Sequence, residues 1–182
     1  PIEEVFKQLP GDEADEQARY IEGVISVNNK VIRVASAYIP NGQAPNSDKF
    51  KYKLSFFDRL YEHAKELLKY EEVLVLGGDY NVAPNLEMDV YSPKTLDGTI
   101  CCHKSEREKF RSLIGLGLTD IYRAANDNTQ KFSWWDYRGS GWQNNKGMRI
   151  DHLLLSPEAA DLHIKSDIDS EVRAMEKPSD HA

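Results

Sequence analysis

Val73-Leu74-Val75-Leu76-Gly77-Gly78-Asp79-Tyr80-Asn81 is the stretch on which the reading of this sequence turns. Four unbroken apolar residues, two of them β-branched, fit a strand buried on both faces. Two glycines follow, and they admit a ligand close to the backbone. Then come a carboxylate, one residue and an amide. Asp79 and Asn81 sit two apart and point the same way if the strand continues. An acceptor-only group then lies beside a donor, which suits a water or a phosphate oxygen. A strand-end turn built on Asp and Asn would look the same, and the segment alone leaves both readings open.

Working outward, the segment before it reads as a helix. From Asp48 to Lys69 the apolar residues Phe50, Leu54, Phe57, Tyr61, Ala64 and Leu68 recur at helical spacing, with Ser47 or Asn46 available as N-cap. The lysines at 49, 51 and 53 read as its solvated face. Further back, Arg19–Val27 and Val31–Ala37 read as strands joined by a tight Asn28-Asn29 turn, and Tyr38-Ile39-Pro40-Asn41-Gly42 ends the second one. After the central strand, 82–104 reads as a long loop. Ser105-Glu106-Arg107-Glu108 reads as a capping box opening a helix that stops at Gly115 or Gly117, with Arg107, Lys109 and Arg111 solvated. Phe132–Tyr137 and Met148–Leu155 read as strands, and Glu171–Met175 as a further one. Strands with helices between them make an α/β (α+β) layered fold.

The chain has 182 residues, 30 acidic against 23 basic, for a net charge of −7. That length buries roughly 70% of the unfolded surface without disulfides. Forty per cent hydrophobic and 10% aromatic residues exclude a disordered chain. No stretch approaches about 18 consecutive apolar residues, so no membrane helix is expected, and Pro1-Ile2-Glu3-Glu4 does not read as a leader. The two cysteines, Cys101 and Cys102, are adjacent; they suit neither a disulfide nor a zinc framework, which points to a reducing, cytoplasmic setting. The acidic balance argues against a charge-driven nucleic-acid coat protein but suits a site for hard cations. P-loop, GxSxG and HExxH patterns are absent.

Three further segments carry chemistry. In Arg149-Ile150-Asp151-His152 a carboxylate enters an apolar strand, where it is costly unless paired; the simple alternative is a surface pair with Arg149. Asp151 and His152 point to opposite faces and do not serve one site. Ser179-Asp180-His181-Ala182 offers an Asp–His pair for metal or proton chemistry, or is a polar tail. Phe132-Ser133-Trp134-Trp135-Asp136-Tyr137-Arg138 offers aromatics for stacking and an arginine for phosphate, or plain core. His63, His103, His152 and His163 lack ligand spacing and read as incidental.

Taken in order, Tyr38-Ile39-Pro40-Asn41-Gly42, Gly78-Asp79-Tyr80-Asn81, Phe132 to Arg138, Arg149-Ile150-Asp151 and Ser179-Asp180-His181 resemble bacterial exonuclease III. That is the abasic-site endonuclease branch of the endonuclease/exonuclease/phosphatase superfamily, and the resemblance runs from about Gly11 to the last residue. It implies a four-layered α/β sandwich of two packed, mainly antiparallel sheets flanked by helices. It implies one domain over 1–182 that is incomplete, because complete members open with strands bearing an asparagine and the principal glutamate metal ligand and close with a strand after the Asp–His pair.

The implied activity is Mg²⁺- or Mn²⁺-dependent hydrolysis of DNA phosphodiesters in base-excision repair: incision 5′ to abasic sites, 3′→5′ exonuclease action and cleaning of 3′ ends. The resemblance assigns catalysis to Tyr38, Asp79, Asn81, Asp151 and His181, metal contact to Asp79, Asn81 and Asp180, and substrate contact to Asn41, Trp134, Arg138, Met148 and Ile150. Trp134, Met148 and Ile150 would wall a pocket for a flipped-out abasic sugar. The implied partner is double-stranded DNA with abasic sites or 3′ ends, with no membrane and no obligatory protein partner, and the complete protein is expected to be a cytoplasmic, nucleoid-associated monomer. A phosphodiesterase acting on inositol phosphates or lipids, or a catalytically impaired DNA-binding chain, are the competing readings.

Overall fold

A computed structural model describes residues 1–182. The N-terminal strands β1 (Glu4–Phe6), β2 (Tyr20–Val27) and β3 (Lys30–Tyr38) form an antiparallel meander. Asn28 and Asn29 turn between β2 and β3 with φ of 51° and 63°, the left-handed pair that a two-residue hairpin with strand-matched twist needs. Helix α1 (Asp48–Leu67), capped by Ser47 Oγ accepting from the Phe50 amide, crosses over to β4 (Val73–Asp79), which lies parallel to β3. Strand β8 (Asp151–Leu155) pairs antiparallel with β4, and β5 (Thr119–Asp120) closes the edge, giving the order β1-β2-β3-β4-β8-β5. A small second sheet joins β6 (Trp134–Trp135) to β7 (Gly147–Met148).

Helix α1 and helix α4 (Lys104–Gly115) pack on one face of the large sheet. There Phe56, Phe57, Leu60, Phe110 and Leu113 meet Ala35, Ala37, Leu74, Leu76 and Leu154. The opposite face is open over its centre, with Ile21, Val34 and Leu153 about half exposed. The strand at Val73–Leu76 is therefore core on one side only. No helix is long and apolar enough to cross a membrane.

Several expectations are corrected. Residues 82–104 are not a loose loop: two single-turn helices, α2 (Leu86–Asp89) and α3 (Pro93–Leu96), lie in it, and Val82, Ala83, Val90, Cys101 and Cys102 are buried. The box that opens α4 starts two residues earlier than expected, at His103. His103 Nδ1 accepts from the Ser105 amide and Glu106 accepts from the His103 amide. The buried stripe of α1 is rotated to Phe50, Lys53, Phe56, Phe57, Leu60, Ala64 and Leu67, so Lys53 is interior. Strand pairing covers only Trp134–Trp135 of the 132–137 run, and 148–155 is split in two because Arg149 turns inward. Ser170–Ala174 is a 3₁₀ turn, not a strand.

Gly78 explains why β3 and β4 fit. Its φ is +136°, and a Cβ there would stand 2.0 Å from the Ala37 carbonyl oxygen. The glycine accommodates the neighbouring strand rather than a ligand. Gly78→Ala is expected to lower unfolding free energy by about 2–4 kcal/mol through strain plus overpacking, read as a lower urea midpoint at unchanged slope.

Glu22, buried on the core face of β2, joins β2, β3 and α1: Tyr20 Oη and Arg33 Nη1 donate to it, and His63 Nε2 lies 2.7 Å away. Burial alone would raise its pKa, but the bonds from His63, Tyr20 and Arg33 outweigh this and hold it at about 2. A depressed carboxylate stabilises the fold above the unfolded-state pKa and loses that contribution as pH falls through the folded one. Urea unfolding should therefore show wild type above Glu22→Gln by a few kcal/mol near neutrality. The gap should narrow as pH falls from the ordinary glutamate range toward about 2.

Candidate active site

Three strand ends make the site. Tyr38 pairs with Asp79 across β3 and β4, and Asp79 pairs with Asp151 across β4 and β8. Side chains directly opposite on adjacent strands share a face. The row Tyr38–Asp79–Asp151 therefore lies on the open face, while Ala37, Gly78 and His152 fall on the other side. The terminal segment comes to the same place. The Trp135 amide donates to the Asp180 carbonyl, the Ala182 amide donates to the Ser133 carbonyl, and Trp134 and His181 form a β-bridge. Residues 180–182 are thus docked on β6 through this single bridge and its flanking hydrogen bonds.

This docking brings His181 Nδ1 to 2.8 and 3.0 Å from the two oxygens of Asp151. Ligand atoms of Asp79, Asp151 and His181 all lie within 4.8 Å of one another. Burial pushes Asp79 up to about 6, and the charge of Asp151 adds to the shift, against the Asn81 amide and His181. Burial works downward on His181, but the hydrogen bond and charge of Asp151, with Asp79 and Asp180, hold it above the ordinary histidine value. Two half-buried carboxylates in this proximity repel each other, and a divalent cation relieves such crowding. The two carboxylates are oxygen donors of the kind that a hard cation such as Mg²⁺ or Mn²⁺ takes.

Asn81 holds Asp79 in place. Its backbone, at φ 50°, leaves the strand, as in the strand-end turn reading of this segment. Its amide N–H donates to Asp79 Oδ1 and its side-chain Nδ2 to Asp79 Oδ2, both at 2.8 Å. Nδ2 also donates to the Ile39 carbonyl, and Oδ1 accepts from Asn41 Nδ2 at 3.0 Å. Asn41 is thereby engaged with Asn81. Tyr38 is exposed, with the Arg19 guanidinium 5.0 Å from its ring centre.

The remaining expected residues divide. Asp180 Oδ2 accepts from the Trp134 indole N–H at 3.0 Å and does not join the Asp79–Asp151–His181 group. Met148 and Ile150 are buried in an apolar cluster with Val90, Cys101 and Cys102, and half-buried Trp134 packs on it from outside. Arg138 is exposed and folds back on Asp136. A cleft of about 350 Å³ borders Asp79, Asp151 and Ser133. A larger one of about 860 Å³ contains none of the row and lies over Arg149.

Sequence reasoning missed the layer behind the site. Ser133 Oγ donates to Asp151 Oδ2 at 2.6 Å and accepts from the amides of Ile150 and Asp151. A lone small hydroxyl inside an aromatic run was its signal. Arg149 does not pair with Asp151; it is buried between Asp89 and Asp120 and touches His152 Nδ1. His152 is a core residue whose Nε2 meets the Val82 carbonyl, and His103 caps a helix. Lys53 Nζ, expected in solvent, donates to the carbonyls of Asn41 and Asn81 and pairs with Glu106.

Known proteins share this arrangement of elements. The sequence pattern of the Endonuclease/Exonuclease/phosphatase family matches residues 5–181. Exodeoxyribonuclease III of Haemophilus influenzae is 35% identical, over 98% of this chain and 69% of that protein. The structure of a 3′-5′ exonuclease from Neisseria meningitidis superposes with a TM-score of 0.91 at 40% identity, over 97% of this chain and 67% of the other. An AP endonuclease from Archaeoglobus fulgidus superposes at 0.89 and 32% identity, over 100% and 68%. The chain spans about two thirds of the length of these relatives, and 58% of the exodeoxyribonuclease of Streptococcus pneumoniae. A match over nearly the whole chain, at this identity and on this fold, makes the chain a member of the endonuclease/exonuclease/phosphatase family, in the branch of exodeoxyribonuclease III and the AP endonucleases.

Proposed function

We propose that this chain carries the phosphodiester-cleaving end of a divalent-metal-dependent DNA repair nuclease. The activities proposed are incision 5′ to abasic sites, 3′→5′ exonuclease action on duplex DNA and removal of 3′ blocking groups. The observation that carries the reading is the convergence of Asp79, Asp151 and His181, from two strands and the chain's last residues, on the open face of the sheet. The relatives' names support DNA as the substrate: one neighbouring structure, 38% identical with a TM-score of 0.93, is a 3′ phosphatase from Neisseria bound to a product DNA hairpin.

Hydrolysis of a phosphodiester needs an in-line water, a sink for charge on the transferring phosphoryl group and a stabilised leaving oxygen. Asp151 fixes the His181 ring through Nδ1 and so turns Nε2 outward, toward a water or a phosphate oxygen. Asp79, held at both oxygens by Asn81, is placed to orient or deprotonate the water or to protonate the leaving oxygen. Tyr38, the partner of Asp79 across the β3–β4 pairing, would offer its hydroxyl to the phosphate, with the charge of Arg19 close to its ring. Asp79 and Asp151 would hold Mg²⁺ or Mn²⁺, with the Asn81 side-chain oxygen as a further donor, and the cation would neutralise phosphate charge and acidify a bound water. Trp134, over buried Met148 and Ile150, offers the apolar surface for a base-free sugar, and Arg138 a cation for the flanking backbone.

Duplex DNA carrying one abasic analogue should be nicked on its 5′ side in Mg²⁺. Chelation should abolish nicking, and added Mg²⁺ or Mn²⁺ should restore it. Asp79→Asn should reduce the rate by about 10²–10⁴-fold with little change in melting temperature. Undiminished cleavage in that variant, or in chelator, would remove the basis of the assignment.

A further inference from the structure

We infer that Lys53 is a positioning residue for this reaction: its ammonium fixes the backbone of Asn41 and Asn81, and through Asn81 it sets the orientation of Asp79. The inference rests on the nuclease reading for its kinetic consequence, but its geometry stands alone. Lys53 lies on α1 with its side chain fully buried, as is that of Glu106. An ammonium has three donors, and all three are used. One goes to the Asn41 carbonyl at 3.1 Å, one to the Asn81 carbonyl at 2.7 Å and one to Glu106.

Those two carbonyls belong to the pair of residues that brace Asp79. Asn41 Nδ2 donates to Asn81 Oδ1, and Asn81 donates twice to Asp79. Asn81 does so from left-handed backbone, which asparagine adopts more readily than most residues. The chain also makes room for the lysine. Gly42 has φ +86°, and a Cβ there would stand 3.0 Å from the Lys53 Cδ. Glu106 in turn accepts from the Cys101 and His103 amides, which ties the ammonium to the cap of α4.

The ion pair by itself does not account for this arrangement. A buried ion pair usually contributes little more than an apolar pair of the same volume. What the ammonium adds, and an apolar pair lacks, is N–H donors for the carbonyl of Asn41 and for that of buried Asn81.

Lys53→Met alone would leave the Glu106 charge buried and uncompensated, so it is compared with Lys53→Met/Glu106→Gln, which removes both charges and keeps an acceptor for the cap. Leu113→Ala, in the core under α1 and α4 and outside the hydrogen bonds of Lys53, controls for lost stability. The double variant should regain melting temperature over the single one, yet keep a kcat about 10- to 100-fold below wild type, with KM for abasic duplex within about twofold. Leu113→Ala should keep kcat.

A double variant with wild-type kcat would show that Lys53 only neutralises Glu106, and would overturn the inference. Hydrogen exchange at the Asn81 amide supplies a readout independent of catalysis. It should speed up about tenfold in the double variant, and unchanged exchange would also overturn the inference. If wild type does not nick DNA, or Asp79→Asn still does, the nuclease reading fails, and the exchange measurement still decides the role of Lys53.

Discussion

The site depends on the hydrogen-bonded register of three strand ends. Because Tyr38 faces Asp79 and Asp79 faces Asp151, residues far apart in sequence share one edge of one face. A slip of one residue in either pairing would send the displaced side chains to the helix-covered face. Gly78 ties the register to the backbone itself, since only a residue without Cβ lets the Ala37 carbonyl approach that closely. The geometry of the row is thus set by main-chain pairing first and by side chains second.

Behind that row lies a layer of buried charge with a consistent logic. Asp79 is held by Asn81, Asn81 by Asn41 and Lys53, and Lys53 by Glu106. Asp151 is held by Ser133, and the neighbouring Arg149 is locked between Asp89 and Asp120. Charge removed from water this completely is tolerated only when nearly every donor and acceptor is matched. The result is a set of carboxylates whose positions are fixed before any ligand arrives. Such preorganisation is what electrostatic catalysis requires, because groups already aimed need not reorganise during the reaction.

The sequence made legible whatever local pattern controls. The Asn28-Asn29 hairpin, the Ser47 cap and the strand running into Gly77-Gly78-Asp79 follow from turn chemistry and periodicity, and they appear where expected. That the residues of this row come together was legible only through their resemblance in order to a family, since no local rule says that His181 reaches Asp151 across 30 positions. What stayed hidden was decided by tertiary contact. Lys53 sits among lysines on a helix, and nothing in spacing separates the one that turns inward. Residues 82–104 carry Pro, Asn and Gly but no period, yet Val90, Cys101 and Cys102 are buried by packing against Met148 and Ile150. At His103 an imidazole does what a hydroxyl usually does at a helix start, so a search for Ser or Thr lands two residues late.

A chain of net charge −7 that acts on a polyanion must overcome repulsion at the point of reaction. Here that repulsion is concentrated, because Asp79 and Asp151 face the place where a phosphate would sit. The site already shows the strain of its own charge: burial and the charge of Asp151 lift Asp79 to about 6. Adding a phosphate to two carboxylates in a partly desolvated cleft raises the cost further, as the attraction or repulsion between charges grows when water is displaced. Arg19, beside Tyr38, is a single positive charge and lies toward one end of the row. His181 stands at the other end, its Nδ1 against Asp151, which holds it above the ordinary histidine value. The ligand atoms of Asp79, Asp151 and His181 all lie within 4.8 Å of one another. A divalent cation held there would bring compact positive charge to the row without occupying the space of a side chain.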